Sequence, residues 1–205
     1  MTFYLLKMRL ICMFRFVGSY FDSKFSPVTK YLHFSLIVLV ILQIVISNFM
    51  EIHADGTIGQ NLVEYVSTWL HIGVGLLVLG LSFIFVTVEL KRRGFLYFFP
   101  YISGNFHQLK SDVNRLKKAE LPESAPGGLA AIVQGLGFGA ILCVATSGCI
   151  WFVLWLNDVS FSDTFREIHE VLTGLIEAYI VGHGLLGVIH ITSSYLKRDA
   201  IDTPS

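Results

Sequence analysis

Charge is scarce in this 205-residue chain: only 15% of residues are Asp, Glu, Lys or Arg. A soluble domain carries nearer a quarter, so an ordinary soluble enzyme is excluded. Net charge is zero, which leaves no basic footprint for nucleic acid. Cysteine is scarce too. The three residues Cys12, Cys143 and Cys149 form no CxxC or CxxCH. That removes disulfide frameworks, zinc ribbons, thioredoxin-type motifs and covalently attached haem. Disorder is excluded by the low charge together with 17 Phe. Neither an internal repeat nor a low-complexity tract is present. What is abundant is apolar residue, 54% of the chain with mean hydropathy +0.65. The composition is that of a small polytopic membrane protein.

Four apolar stretches reach the roughly 20 residues that a helix needs to cross a bilayer. They cover residues 32–50, 66–90, 128–156 and 165–195. All are too long for strands and lack period-two alternation. The expected fold is therefore all-α, a four-helix transmembrane bundle running up and down. Ser26-Pro27 reads as an N-cap followed by proline at the first helical position. Lys and Arg set the direction. Fourteen of them fall in the N-terminal segment, in the loop between spans two and three, and in the C-terminal tail, whereas Arg166 stands alone on the other side. Both termini are then cytoplasmic, with Trp151 and Trp155 ending span three at the outer interface. The expected location is a bacterial inner membrane, multi-pass.

The divisions that follow are an N-terminal cytoplasmic or interfacial segment (1–25), a membrane domain (26–195) and a cytoplasmic tail (196–205). The first 25 residues mix apolar residues with bases and lack a clean apolar core with a cleavage site, so no signal peptide is expected. Met8 and Met13 leave a later start open, and with it whether residues 1–12 are genuine. Residues 51–64 and 157–164 form outer loops, the second ending in the candidate caps Ser162 and Asp163. In the inner loop, 94–127, Phe106, Leu109, Val113 and Leu116 share one helical face while Lys110, Asp112, Arg115 and Lys117 lie elsewhere. That is an amphipathic helix, lying on the membrane, against a partner, or as a lid on the bundle.

Histidine carries the functional information. Of seven, His33, His71, His169, His183 and His190 lie in or at the spans, and His53 and His107 lie in loops. Ionisable groups in a span are costly and face the bundle interior. His33 sits near the inner end of span one and His71 near the outer end of span two. His169 and His183 are fourteen residues apart on span four, roughly 21 Å along the axis and within about 40° of one face. One helix thus offers imidazoles at two depths, with His71 opposing His169 and His33 opposing His183. Opposed imidazole pairs in hydrocarbon suit bis-imidazole haem iron best. Zinc wants four clustered ligands, and a proton relay needs fewer matched pairs. Glycines accompany the histidines: Gly73 and Gly75, Gly135, Gly137 and Gly139, and Gly182, Gly184 and Gly187. They either admit a bulky group beside the backbone or serve ordinary small-residue packing.

The segments KYLHFSL, WLHIGVGLLVLG, PGGLAAIVQGLGF and HEVLTGLIEAYIVGHGLLGVIH resemble the prokaryotic cytochrome b561 family over about residues 26–195. That family includes the b-type cytochrome subunits of nickel–iron hydrogenases. The resemblance implies a four-helix bundle holding two b haems, with His33, His71, His169 and His183 as axial ligands. His190 lies seven residues beyond His183. Counted inward from Lys197 it matches the depth of His33 better, but the fourteen-residue spacing of His183 matches the family and a haem at His190 would sit roughly 31 Å from His169, so His190 is the reserve ligand, or a propionate or quinone contact.

The leading expectation is electron transfer across the membrane to or from the quinone pool, ubiquinone or menaquinone. A docked redox-enzyme subunit is the expected protein partner, and membrane lipid the surroundings. Three alternatives stay open: a stand-alone superoxide:quinone oxidoreductase of the same family, a haem-free transporter using intramembrane His, and a plain membrane anchor. The first would need positive steering charge, and the outer side has Arg166 against Glu51, Asp55, Glu64, Asp158 and Asp163. Mid-span Glu177 is either a proton or quinone contact or a carboxylic acid kept neutral by burial. Gln134 reads as interhelical glue, and Cys143 and Cys149 as small buried hydrophobes.

Overall fold

The computed structural model describes Met13 and residues 15–53, 56–122 and 124–202, with 197–202 described by backbone only. The expectations for residues 1–12 lie outside that set. Helix α1 covers residues 15–24. It is followed by α2 (Pro27–Ser47), α3 (Leu62–Arg93), a single turn α4 (Phe95–Phe98) and a 3-10 turn (Pro100–Ser103). Then come α5 (His107–Lys117), α6 (Leu129–Leu156) and α7 (Ser162–Asp202). Among the described residues there is no strand, only an isolated bridge between Ile52 and Ile58. Four helices are long and apolar enough to span a bilayer: α2, α3, α6 and α7 through Leu196.

Local chemistry sets each boundary. Ser26 caps α2, its Oγ accepting from the Thr29 N–H at 3.2 Å, with Pro27 at the first position as the sequence predicts. Asn61 caps α3 in a capping box with Glu64. Lys91, Arg92 and Arg93 close α3 at the negative end of its dipole. Two boundaries differ from expectation. Helix α2 stops at Ser47, where Asn48 turns its N–H back onto Val45 and Ile46. Helix α7 starts at Ser162, so Asp163 lies in its first turn, and it continues past residue 195 to Asp202. At about 1.5 Å per residue, 41 residues make α7 roughly 60 Å long.

Helix α6 has no cap of its own at Gly128. Asp112 of α5 supplies one, accepting the Leu129 N–H at 2.8 Å and the Gln108 Nε2 at 2.8 Å, and it is fully buried. A Cβ on Gly128 would lie 2.5 Å from that carboxylate, which is why glycine stands there. Anchored through Asp112, α5 leaves Phe106, Val113 and Leu116 exposed. The lid arrangement would have buried them.

The long helices wear their apolar residues outward. Val171, Val38 and Val181 are 75%, 64% and 62% exposed, a lipid-facing surface. Small polar side chains are inside: Thr29, Thr68, Ser82 and Ser147. At the basic end, buried Glu89 accepts from Thr29 Oγ1 at 2.5 Å and pairs with Arg92 at 3.0 Å and Arg93 at 3.2 Å. Phe98, fully buried, packs with Val86 of α3 and Phe138 of α6. Helix α1 rests nearby. Phe21 meets Phe34 at 5.4 Å, Phe16 meets Tyr195 at 5.4 Å, and Lys30 pairs with Asp22. At the opposite end, buried Trp151 stacks on Trp155, whose Nε1 donates to the Gly56 carbonyl at 2.8 Å.

Candidate functional site

Helices pack in the order α2 on α3, α3 on α6, and α6 on α7. Helix α7 therefore lies mainly on α6 and stands off from α2 and α3. Imidazoles reach across that gap at two levels. His71 of α3 and His169 of α7 have ring centres 6.2 Å apart, with planes at 80°. His33 of α2 and His183 of α7 have ring centres 6.3 Å apart, with planes at 86°. The first pair lies toward the tryptophan end and the second toward the basic end. Both pairings are those expected from depth.

The surroundings of the two pairs differ. Nδ1 of His169 donates to the Val144 carbonyl at 2.9 Å, with Ser147 Oγ at 3.2 Å. Only a glycine fits beneath that ring, because a Cβ on Gly148 would stand 2.9 Å from its Cε1. A cavity of about 540 Å³ opens beside the pair, walled largely by aliphatic residues of α2, α3, α6 and α7, with Arg166 and Glu170 also lining it. In the other pair, His183 stacks on Tyr179 at 5.2 Å and His33 on Phe85 at 5.9 Å. Tyr179 in turn presses its hydroxyl onto α6, where a Cβ on Gly137 would lie 2.2 Å away.

The spacing tests the cofactor. A first-row metal–imidazole bond is about 2.0 Å and the nitrogen lies about 1.1 Å from its ring centre, so two rings sharing one metal sit roughly 6.2 Å apart. Both observed separations meet that requirement. No group of three or more His, Cys, Asp or Glu able to hold a bare metal ion exists among the described residues. Two imidazoles at each level, with the cavity beside the His71–His169 pair, suit a metal that brings its remaining ligands with it, as haem does.

A family model described as prokaryotic cytochrome b561 matches residues 24–198. The chain belongs to the prokaryotic cytochrome b561 family. It is accordingly a haem b membrane electron-transfer protein. Comparison with curated proteins found no match, and comparison with solved structures found none.

The remaining polar positions of this cytochrome fall outside the two pairs. His190 is half-buried on α7, and no hydrogen bond or ring contact reaches it among the described residues. His53 is exposed 3.7 Å from Glu51, and His107 is exposed at the start of α5. Glu177 lies on the outer surface of α7 rather than in the bundle interior. Cys143 also faces outward, whereas burial was expected. Gly182 and Gly184 border open space, so they make no close contact within the protein.

Several side chains escaped the sequence reading. Gln43 donates through Nε2 to the main-chain carbonyl of His71 at 2.9 Å. Its signal was available, as an amide amid the apolar run of α2. Tyr179, four residues before His183, was hidden among the apolar aromatics. Gly148 and Ser147 gave no sequence signal, because their role depends on the crossing of α6 and α7.

Proposed function

We propose that this cytochrome carries two b haems and moves electrons across the bacterial inner membrane. In this reading His71 and His169 hold an outer haem and His33 and His183 an inner one. The observation that supports it is the repeated opposed pair, at 6.2 Å and 6.3 Å, on one helix and two partner helices. When bound, haem b supplies a one-electron iron couple. The chain's own residues do the rest. The four imidazoles would hold the haem iron, Val144 and Ser147 orient His169, and aliphatic residues form most of the wall beside the outer pair. The two ligand levels on α7 are fourteen residues apart, roughly 21 Å by helix rise.

His183 is preferred over His190 as the inner ligand. The depth count from Lys197 had favoured His190 if the helix ended near the membrane surface. With α7 continuing to Asp202, that count loses its force, and the ring nearest His33 on α7 is that of His183.

The lipid-soluble partner proposed is a quinone, ubiquinone or menaquinone, and a redox-enzyme subunit is the proposed protein partner. Direct use of superoxide gains no support. Arg166, alone in cationic charge on the outer side, is 3.4 Å from Asp163 and 3.5 Å from Glu170, which cancel its steering field. The exposed face of α5 is proposed to seat on the cytoplasmic lipid surface, with Phe106, Val113 and Leu116 inserted and Lys110, Arg115 and Lys117 toward anionic headgroups.

The test is haem stoichiometry and spectrum of the purified protein. Two low-spin b haems per chain are expected, with His71→Ala reducing this to one. A colourless folded protein would sink the reading, and two low-spin haems in His71→Ala would sink the ligand assignment.

A further inference from the structure

The outer pair is asymmetric in a way that ligation alone does not explain. Nδ1 of His169 has its acceptor in Val144. Nδ1 of His71 is buried without any hydrogen-bond partner. One other unpartnered buried atom lies on a residue of the same corner, Oε1 of Gln43. Both residues line the cavity, and Gln43 already binds the main chain of His71 through Nε2. The orientation of that amide is fixed by chemistry, because the carbonyl facing it can only accept and must meet the nitrogen end. Room for the amide exists because position 75 is glycine: a Cβ there would lie 2.8 Å from Nε2. The main-chain carbonyl of Gln43 also approaches the His71 ring, outside hydrogen-bond geometry.

The two orphans are complementary. An imidazole that gives Nε2 to iron carries its proton on Nδ1 and needs an acceptor there, and the amide oxygen is an acceptor without a donor. We infer that Gln43 is the positioning residue of the outer ligand, its Oε1 taking the Nδ1–H of His71 when the haem is bound. Gln43 then does on α2 what Val144 does on α6, and the two outer imidazoles are each clamped from a different helix. The inference rests on the proposed ligation by His71 and His169.

A hydrogen bond at Nδ1 makes the imidazole a stronger donor to iron, which favours the ferric state and lowers the midpoint potential. Redox titration with optical detection and low-spin electron paramagnetic resonance would be run on the full-length haem-loaded protein, with Gln43→Leu and Gln43→Glu beside wild type. Gln43→Leu is expected to raise the outer haem's midpoint and Gln43→Glu to lower it, each with altered outer-haem g-values and an unmoved inner haem. Shifts of the same sign in both variants would mean that Gln43 only ties α2 to α3, and would overturn the inference. No shift in Gln43→Leu would assign the bond to the main-chain carbonyl, with the same consequence. Should Gln43→Leu lose the outer haem, retention in Gln43→Glu with a lowered potential sustains the inference, and loss in both overturns it. Failure of the underlying reading is distinct: a wild type holding fewer than two haems, or a His71→Ala variant holding two, would remove the ligation itself.

Discussion

Gly148→Ala separates the fold of this cytochrome from its site, because the two respond with opposite sign. Gly148 lies inside α6, where replacing glycine by alanine favours the helix by about 0.8–1.0 kcal/mol. The added methyl, however, would stand 2.9 Å from Cε1 and 3.1 Å from Nδ1 of His169. Ordinary carbon contacts are about 3.5–4.0 Å, so the ring must retreat by several tenths of an ångström. Retreat stretches the 2.9 Å bond from Nδ1 to Val144 and displaces the nitrogen that faces iron in the proposed ligation. Overpacking of this kind costs about 1–3 kcal/mol, which at about 1.4 kcal/mol per decade is roughly a 5- to 150-fold loss of affinity for the outer haem. The assay is haem occupancy per chain under limiting haem, with thermal unfolding of the haem-free protein measured in parallel. Occupancy is expected to fall toward one haem per chain, while the haem-free protein, whose unligated ring can swing into the adjoining cavity, stays about as stable as wild type. Gly80→Ala is the control, since Gly80 is exposed on α3 and nothing lies within 4 Å of a Cβ there. Two full haems with unchanged spectra in Gly148→Ala would refute the close-contact reasoning.

His183→Ala is expected to lose one haem and His190→Ala to keep two, read by haemochrome stoichiometry, and the reverse result would move the inner site seven residues along α7. Asp112→Ala removes the cap of α6 and leaves the Leu129 N–H without its carboxylate. A loss of about 1–2 kcal/mol in unfolding free energy is expected, with haem spectra unchanged, and a variant as stable as wild type would deny the cap its role. Val113→Asp places a charge on the exposed face of α5. Reduced protection of α5 from a water-soluble quencher is expected in anionic lipid nanodiscs, and unchanged protection would mean that this face does not contact lipid.

Residues His33, His71, His169 and His183 were legible before any coordinates because ionisable groups are rare in hydrocarbon and their depth follows from counting at fixed rise. The spans were legible because a bilayer demands a minimum run of apolar residues. Ser26-Pro27 announced the start of α2 since capping is chemistry between near neighbours in sequence. The end of α7 was not legible. Its last residues are polar enough to read as a tail, and a helix needs no apolar signal to continue beyond the membrane. The burial of Asp112 escaped for a different reason. An acid on the polar side of an amphipathic helix is ordinarily solvated, and only the fold brings the N-terminus of α6 against it. Gly148 beneath His169 and Gln43 beside His71 follow the same rule. The sequence by itself determined which helices cross the membrane and which imidazoles lie at matching depth, because both depend on composition and rise along one chain. Tertiary structure alone decided that α7 stands off from α2 and α3, and which neighbour orients each ring, because those depend on how separate helices cross.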